Sequence, residues 1–102
     1  MVCSPEQARL IVDDWRSRGC EIRAVVSFVG VRMGFNGKVT GSSELIATLH
    51  GETGTELSFD LSKAKCEFGD RREAIGSDTA FESVLSIRFA NGTCLFLAER
   101  RN

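Results

Sequence analysis

Apolar and polar positions along this chain follow two rhythms. Between residues 5 and 18, Ala8, Ile11, Val12 and Trp15 recur at helical spacing and form one stripe, the pattern of a helix with a single buried face. Beyond residue 22 the rhythm shortens to strict alternation or merges into continuous β-branched runs, as strands do. The helix has explicit ends. Ser4 is placed as N-cap, Pro5 at the first helical position, and Gln7 closes an S-x-x-Q capping box. Glu6 near the start and Arg16 and Arg18 near the end suit the helix dipole, Asp14 and Arg18 are spaced for an ion pair, and Gly19 is a natural C-cap. Trp15 reads as a core anchor of the stripe rather than as the wall of a ligand pocket.

Three hairpins are expected from turn chemistry. Residues 22–33, IRAVVSFVGVRM, read as one strand covered on both faces. A Phe35-Asn36-Gly37 loop then pairs Met33 with Val39 and Val31 with Gly41, placing Arg32 beside Thr40 on the other face. A Glu52-Thr53-Gly54 loop pairs Leu49 with Leu57, Ala47 with Phe59 and Leu45 with Leu61 on an apolar face, and His50 with Glu56 on the opposite one. At the end of the chain, Asn91-Gly92 suits a two-residue turn. That register pairs Phe89 with Cys94, Ile87 with Phe96 and Leu85 with Ala98 on an apolar face. Leu95 and Leu97 then share the second face with Ser86 and Arg88.

Between the last two hairpins the pattern weakens. Residues 63–68 extend or follow the preceding strand with Cys66 and Phe68 inward, residues 69–79 read as a loop with room for one helical turn around 72–75, and residues 100–102 read as a frayed tail. The expected architecture is α+β and mainly β. One helix, at 5–18, packs on about six antiparallel strands at 22–33, 38–43, 45–50, 55–61, 83–90 and 93–99. These form a β-meander bent into a strongly curled sheet or small, partly open barrel, with residues 1–102 as one domain.

Composition narrows the function classes. Apolar residues at 42% and charged residues at 26% fit a globular chain, and a net charge of −1 supplies no field to recruit nucleic acid or an anionic membrane. No apolar run approaches the roughly 20 residues that span a bilayer, and the start, MVCSPEQ, carries no secretory leader; a cytoplasmic location is expected. Cys3, Cys20, Cys66 and Cys94 form no C-x-x-C pair and His50 is the single histidine, so neither a metal site nor a disulfide is expected. Gly30, Gly34, Gly37 and Gly41 match no phosphate-binding fingerprint and read as points of strand bending. The sole candidate acid–base pair, His50 with Glu56, falls near a solvated hairpin tip. No enzyme, metal or cofactor is expected.

Parts of the chain resemble two families of small barrel. Residues 25–50, VVSFVGVRMGFNGKVTGSSELIATLH, after a helix, are similar to the opening of an Sm-like RNA-binding barrel. The Asp and Asn that such proteins carry near residues 43–45, and their later Arg-Gly motif, are missing. Residues 37–49 resemble a strand pair of PilZ-type cyclic-dinucleotide receptors, without the R-x-x-x-R and [DN]-x-S-x-x-G motifs. Both likenesses imply architecture only.

Two non-catalytic functions follow. Apolar residues left on sheet faces, Val26, Phe28, Leu95 and Leu97, mark an interaction surface, with a homodimer or another protein as partner. The alternative is a nucleotide- or RNA-binding barrel in which Arg32, Arg71, Arg72 and Arg88 meet phosphate and Phe28 or Phe35 stacks a base.

Overall fold

Ser4 accepts a hydrogen bond from the Gln7 amide at 3.1 Å while the Gln7 side chain accepts one from the Ser4 amide at 2.8 Å, and the chain enters α1, Pro5–Arg18, at once. The computed structural model describes residues 1–69 and 84–100. Gly19 ends the helix in the left-handed conformation, φ 64°, which costs a residue without Cβ little. Ala8, Val12 and Trp15 are buried, and Arg9–Asp13 and Asp14–Arg18 lie along the solvent side as i,i+4 pairs.

Among the described residues, eight strands follow or flank this helix: β1 Val2–Cys3, β2 Ile22–Phe28, β3 Val31–Ser43, β4 Ile46–Gly51, β5 Glu56–Asp60, β6 Lys65–Gly69, β7 Val84–Arg88 and β8 Cys94–Glu99. They form one antiparallel sheet in the order β1-β6-β7-β8-β2-β3-β4-β5. Two meanders, β2–β5 and β6–β8, are joined where β8 lies beside β2. The edges β1 and β5 do not meet, so the sheet is open. α1 touches β3 on one side and β6 and β1 on the other. β7, β8 and β2 lie between these contacts in the sheet, so the sheet must curl around the helix.

Period-two alternation assigns the faces. The concave, helix-bearing face gathers Ile22, Ala24, Val39, Ala47, Leu49, Phe59, Cys66, Leu85, Ile87, Leu95 and Leu97 into the main core. The convex face carries a smaller buried pair, Val84 and Ala98, with Phe96 packed on it. Two short strands at β1 and β6 raise the count from the expected six to eight.

The middle hairpin has the expected register, with Leu49 opposite Leu57, Ala47 opposite Phe59 and His50 opposite Glu56. Gly54 turns the loop at φ 87°.

The first hairpin does not. Its turn is Val29-Gly30, both residues left-handed at φ 44° and 77°, and it pairs Phe28 with Val31 and Val26 with Met33. Folding here sets two alternating apolar runs against each other over seven residue pairs. Asn36 and Gly37 are interior strand residues. The glycine is required for another reason: a Cβ at Gly37 would run into the His50 carbonyl and the Gly51 Cα. Gly37 faces Ile22 on one side and Gly51 on the other, the point where β3 passes from β2 to β4. Past this handover, the β3–β4 register shifts between Val39 and Gly41.

The last hairpin is displaced by one residue from the expected register. Phe89 donates to the Thr93 carbonyl at 2.9 Å and Gly92 to the Phe89 carbonyl at 3.1 Å, enclosing a three-residue loop, Ala90-Asn91-Gly92, with Gly92 at φ 90°. Asn91 Oδ1 accepts from the Thr93 amide at 3.0 Å. Ile87 therefore faces Leu95 and Leu85 faces Leu97. The run from Cys94 to Ala98 is apolar in both phases, so alternation alone does not choose between registers. Packing against β2 does, because it places Leu95 opposite Val26 and Leu97 opposite Ala24.

Arg100 is tied down too. Its amide donates to the Glu21 carbonyl at 2.9 Å and its guanidinium meets the Glu21 carboxylate at 3.1 Å. The expected turn around residues 72–75 lies outside the described residues.

Candidate functional site

Among the described residues, the β2–β3 hairpin carries the most exposed apolar ribbon. Along both strands the concave-face residues are buried near the core, at Ile22 and Ala24, and emerge toward the turn. Phe28 is 45% exposed, Val31 66% and Met33 50%, and Val29 at the tip is 81% exposed. Phe28 faces Val31 and Val26 faces Met33, so these side chains form two adjacent rungs on one face. At its base the ribbon meets a cleft of ≈ 390 Å³, where Leu57 and Phe59 of β5 stand across from Val26, Leu95 and Phe89. This cleft is the gap left by the open sheet.

Of the four residues expected at an interface, the hairpin retains Val26 and Phe28. Leu95 and Leu97 are 2% and 0% exposed and belong to the core; the one-residue register displacement turns them inward. Val29, Val31 and Met33 were not among the expected residues. The sequence does contain their signal, because Val26-Ser27-Phe28 and Val31-Arg32-Met33 mirror each other in polarity about Val29-Gly30.

The convex face carries the charged candidates. Cross-strand pairing sets Lys65, Arg88, Cys94, Ser27 and Arg32 in one row across five neighbouring strands, so three cations span it. Glu67, Ser86, Phe96, Val25 and Gly34 form the next row. A pocket of ≈ 510 Å³ opens beside Lys65, Glu67, Ser86, Arg88 and Phe96. Among the described residues, the buried Ser86 hydroxyl has no hydrogen-bond partner. Arg32 and Arg88 thus fall in a common row, while Arg71 and Arg72 lie outside the described residues.

Two other clusters have identifiable chemistry. His50 Nδ1 lies 3.7 Å from Glu56 Oε2, with both side chains at least half exposed, the solvated cross-strand pair that the hairpin register implies. Arg18 donates to both Glu99 oxygens, at 2.8 and 3.0 Å, and the Cys20 thiol lies 3.4 Å from Oε1. The guanidinium holds Glu99 below the ordinary carboxylate range. Burial and then the Glu99 carboxylate push the Cys20 thiol up, opposite to the shift that creates a thiolate nucleophile. Cys66 is pushed up as well, chiefly by burial.

Among the described residues, no group of three or more His, Cys, Asp or Glu is placed to hold a metal ion, and no helix is long and apolar enough to cross a membrane. Comparison with protein-family models, curated proteins and solved structures found no match.

Proposed function

We propose that this chain is a small non-enzymatic interaction module that self-associates, as a homodimer, through the apolar face of its β2–β3 hairpin. The observation that carries the reading is the contiguous exposure of Phe28, Val29, Val31 and Met33 on one projecting ribbon. Exposed apolar residues scattered singly need no explanation, whereas a continuous patch favours a protein contact. A symmetric pair is the commonest way for one chain to cover such a patch. Cys3, Cys20, Cys66 and Cys94 are all free thiols, which suits the reducing cytoplasm we propose as its location. Sedimentation velocity over a dilution series tests the reading. A dimer at tens of micromolar, shifted toward monomer by Phe28→Ser, supports it; a monomer throughout overturns it.

A second reading draws on the convex face. Lys65, Arg88 and Arg32 share a row, and Phe96 stands beside them, an arrangement suited to phosphate and a stacked base. Salt-dependent binding of single-stranded RNA or a cyclic dinucleotide, lost in Arg88→Ala, would favour this reading.

A further inference from the structure

The pocket on the convex face is built from two cross-strand rows lying roughly 7 Å apart, two residues along each strand. The first row sets Lys65 of β6 directly opposite Arg88 of β7. Like charges so placed oppose pairing, and among the described residues neither cation has a carboxylate within ion-pair distance. The second row sets Glu67 opposite Ser86, with Phe96 on the next strand. Ser86 is only 9% exposed, and among the described residues its hydroxyl meets no partner. A buried hydroxyl left in this way carries the cost of its desolvation. Two unfavourable arrangements therefore flank one pocket of ≈ 510 Å³, inside the range of about 300–1,000 Å³ usual for small-molecule sites. A single ligand would relieve both.

Narrowing the convex-face reading above, on which it rests, we infer that this pocket binds a nucleoside monophosphate. The phosphate sits between Lys65 and Arg88, the base lies against Phe96, and hydroxyl or amino donors at the far end meet Glu67 and Ser86. Charge selects the head group. A phosphate monoester carries roughly −1.5 to −2 near neutral pH, which matches two cations better than a carboxylate does. The Arg88 guanidinium also presents paired donors to its oxygens. An ionised Glu67 only accepts hydrogen bonds, so the other end of the ligand must bring donors, as a ribose or an aminated base does. Size selects one nucleotide over a polymer. Val2 of β1 bounds the pocket beside Glu67, and a net charge of −1 supplies no field to hold a longer polyanion.

Isothermal titration calorimetry tests this with adenosine, guanosine, cytidine and uridine 5′-monophosphates, beside the matching nucleosides, inorganic phosphate and a single-stranded RNA oligomer. At least one monophosphate is expected to bind about tenfold or more tightly than both its nucleoside and inorganic phosphate. Lys65→Gln and Arg88→Gln, both at exposed positions, should each weaken that binding by about tenfold. Ser86→Ala should weaken it by about threefold to tenfold without lowering the thermal midpoint of the free protein, because the hydroxyl has no bond to lose there. A lowered midpoint with binding intact would overturn the role of Ser86.

The remaining outcomes separate the pocket from the reading beneath it. If no monophosphate binds but the RNA does, and Arg88→Gln abolishes it, the pocket is overturned and the convex-face reading stands. If every probe fails, both fall. Inorganic phosphate bound as tightly as the nucleotide marks an adventitious ion only and overturns the proposal. Nucleotide binding indifferent to Lys65→Gln and Arg88→Gln does the same, because it places the ligand elsewhere.

Discussion

Arg18 and Glu99 join the last turn of the helix to the last strand through two charge-assisted hydrogen bonds, Nη1–Oε1 at 2.8 Å and Nη2–Oε2 at 3.0 Å. The same guanidinium holds Asp14 through Nε and Nη2. The pair therefore fixes the C-terminal end of the helix against the β8–β2 region of the sheet, where Glu99 faces Ile22.

This pair makes stability depend on pH in a defined direction. Arg18 is the leading cause of the depressed Glu99 pKa, with burial opposing it and the Cys20 thiol and Trp15 adding smaller support. A carboxyl with a depressed folded pKa stabilises the fold above its unfolded value, about 4.3. That contribution disappears as pH falls through the folded value. Arg18→Met is expected to be less stable than wild type near neutral pH. The gap should narrow as the solution is acidified below about pH 4. Urea unfolding midpoints in neutral and acidic buffer measure it; a constant gap would assign the loss to packing of the Arg18 stem.

The register of the last hairpin predicts which leucines are costly to truncate. Leu97→Ala removes a fully buried side chain and should cost about 3 kcal/mol. Phe28→Ser alters a half-exposed one and should cost about 1 kcal/mol or less. Chemical denaturation of the two variants separates the outcomes, and comparable costs would contradict the observed facing.

Val29 is a β-branched residue held at φ 44°, where its Cβ crowds the following carbonyl. Val29→Asn retains the turn with a residue suited to this conformation and should stabilise the domain by about 1 kcal/mol. A higher thermal midpoint with unchanged circular dichroism would establish that the valine is a strained choice. Loss of dimer in the same variant would link the strain to association.

Gly37 tests the handover between β2 and β4. Gly37→Ala places a methyl against the His50 carbonyl and Gly51 Cα, both backbone, so the strands must part. A loss of about 1–3 kcal/mol is expected. Gly41→Ala, with nothing close to its Cβ position, provides the comparison and should change stability far less.

The parts of the fold legible in the sequence are those whose cause is local. The capping box of Ser4 and Gln7, the apolar stripe and Gly19 specify the helix to both ends. Alternation and the 52–54 loop agree on a single register for β4 and β5. The errors arise where a distant strand decides. Phe35-Asn36-Gly37 has good turn chemistry, but its glycine answers the approach of His50 and Gly51 from β4. Residues 94–98 are apolar in both phases, and Val26 and Ala24 on β2 select the one observed. β1 pairs through two residues with β6, too short a segment to leave a periodic trace. The same causes divide the candidate site. Val26 and Phe28 are visible as surplus apolar residues, whereas Val31 and Met33 appear at the surface only once the turn is placed at Val29-Gly30.

Ile22 and Glu99 are partners across the seam between the two meanders, and their separation in sequence shapes how the chain assembles. The β2–β5 meander consists of neighbouring hairpins and can zip up early, as local contacts generally do. Until β8 has left the ribosome, the flank of β2 that it will occupy stays bare, an open template for any stray extended segment. Slow growth of the nascent chain between residues 60 and 90 would lengthen that exposure, making misassembly during synthesis, rather than melting of the finished fold, the hazard this topology carries.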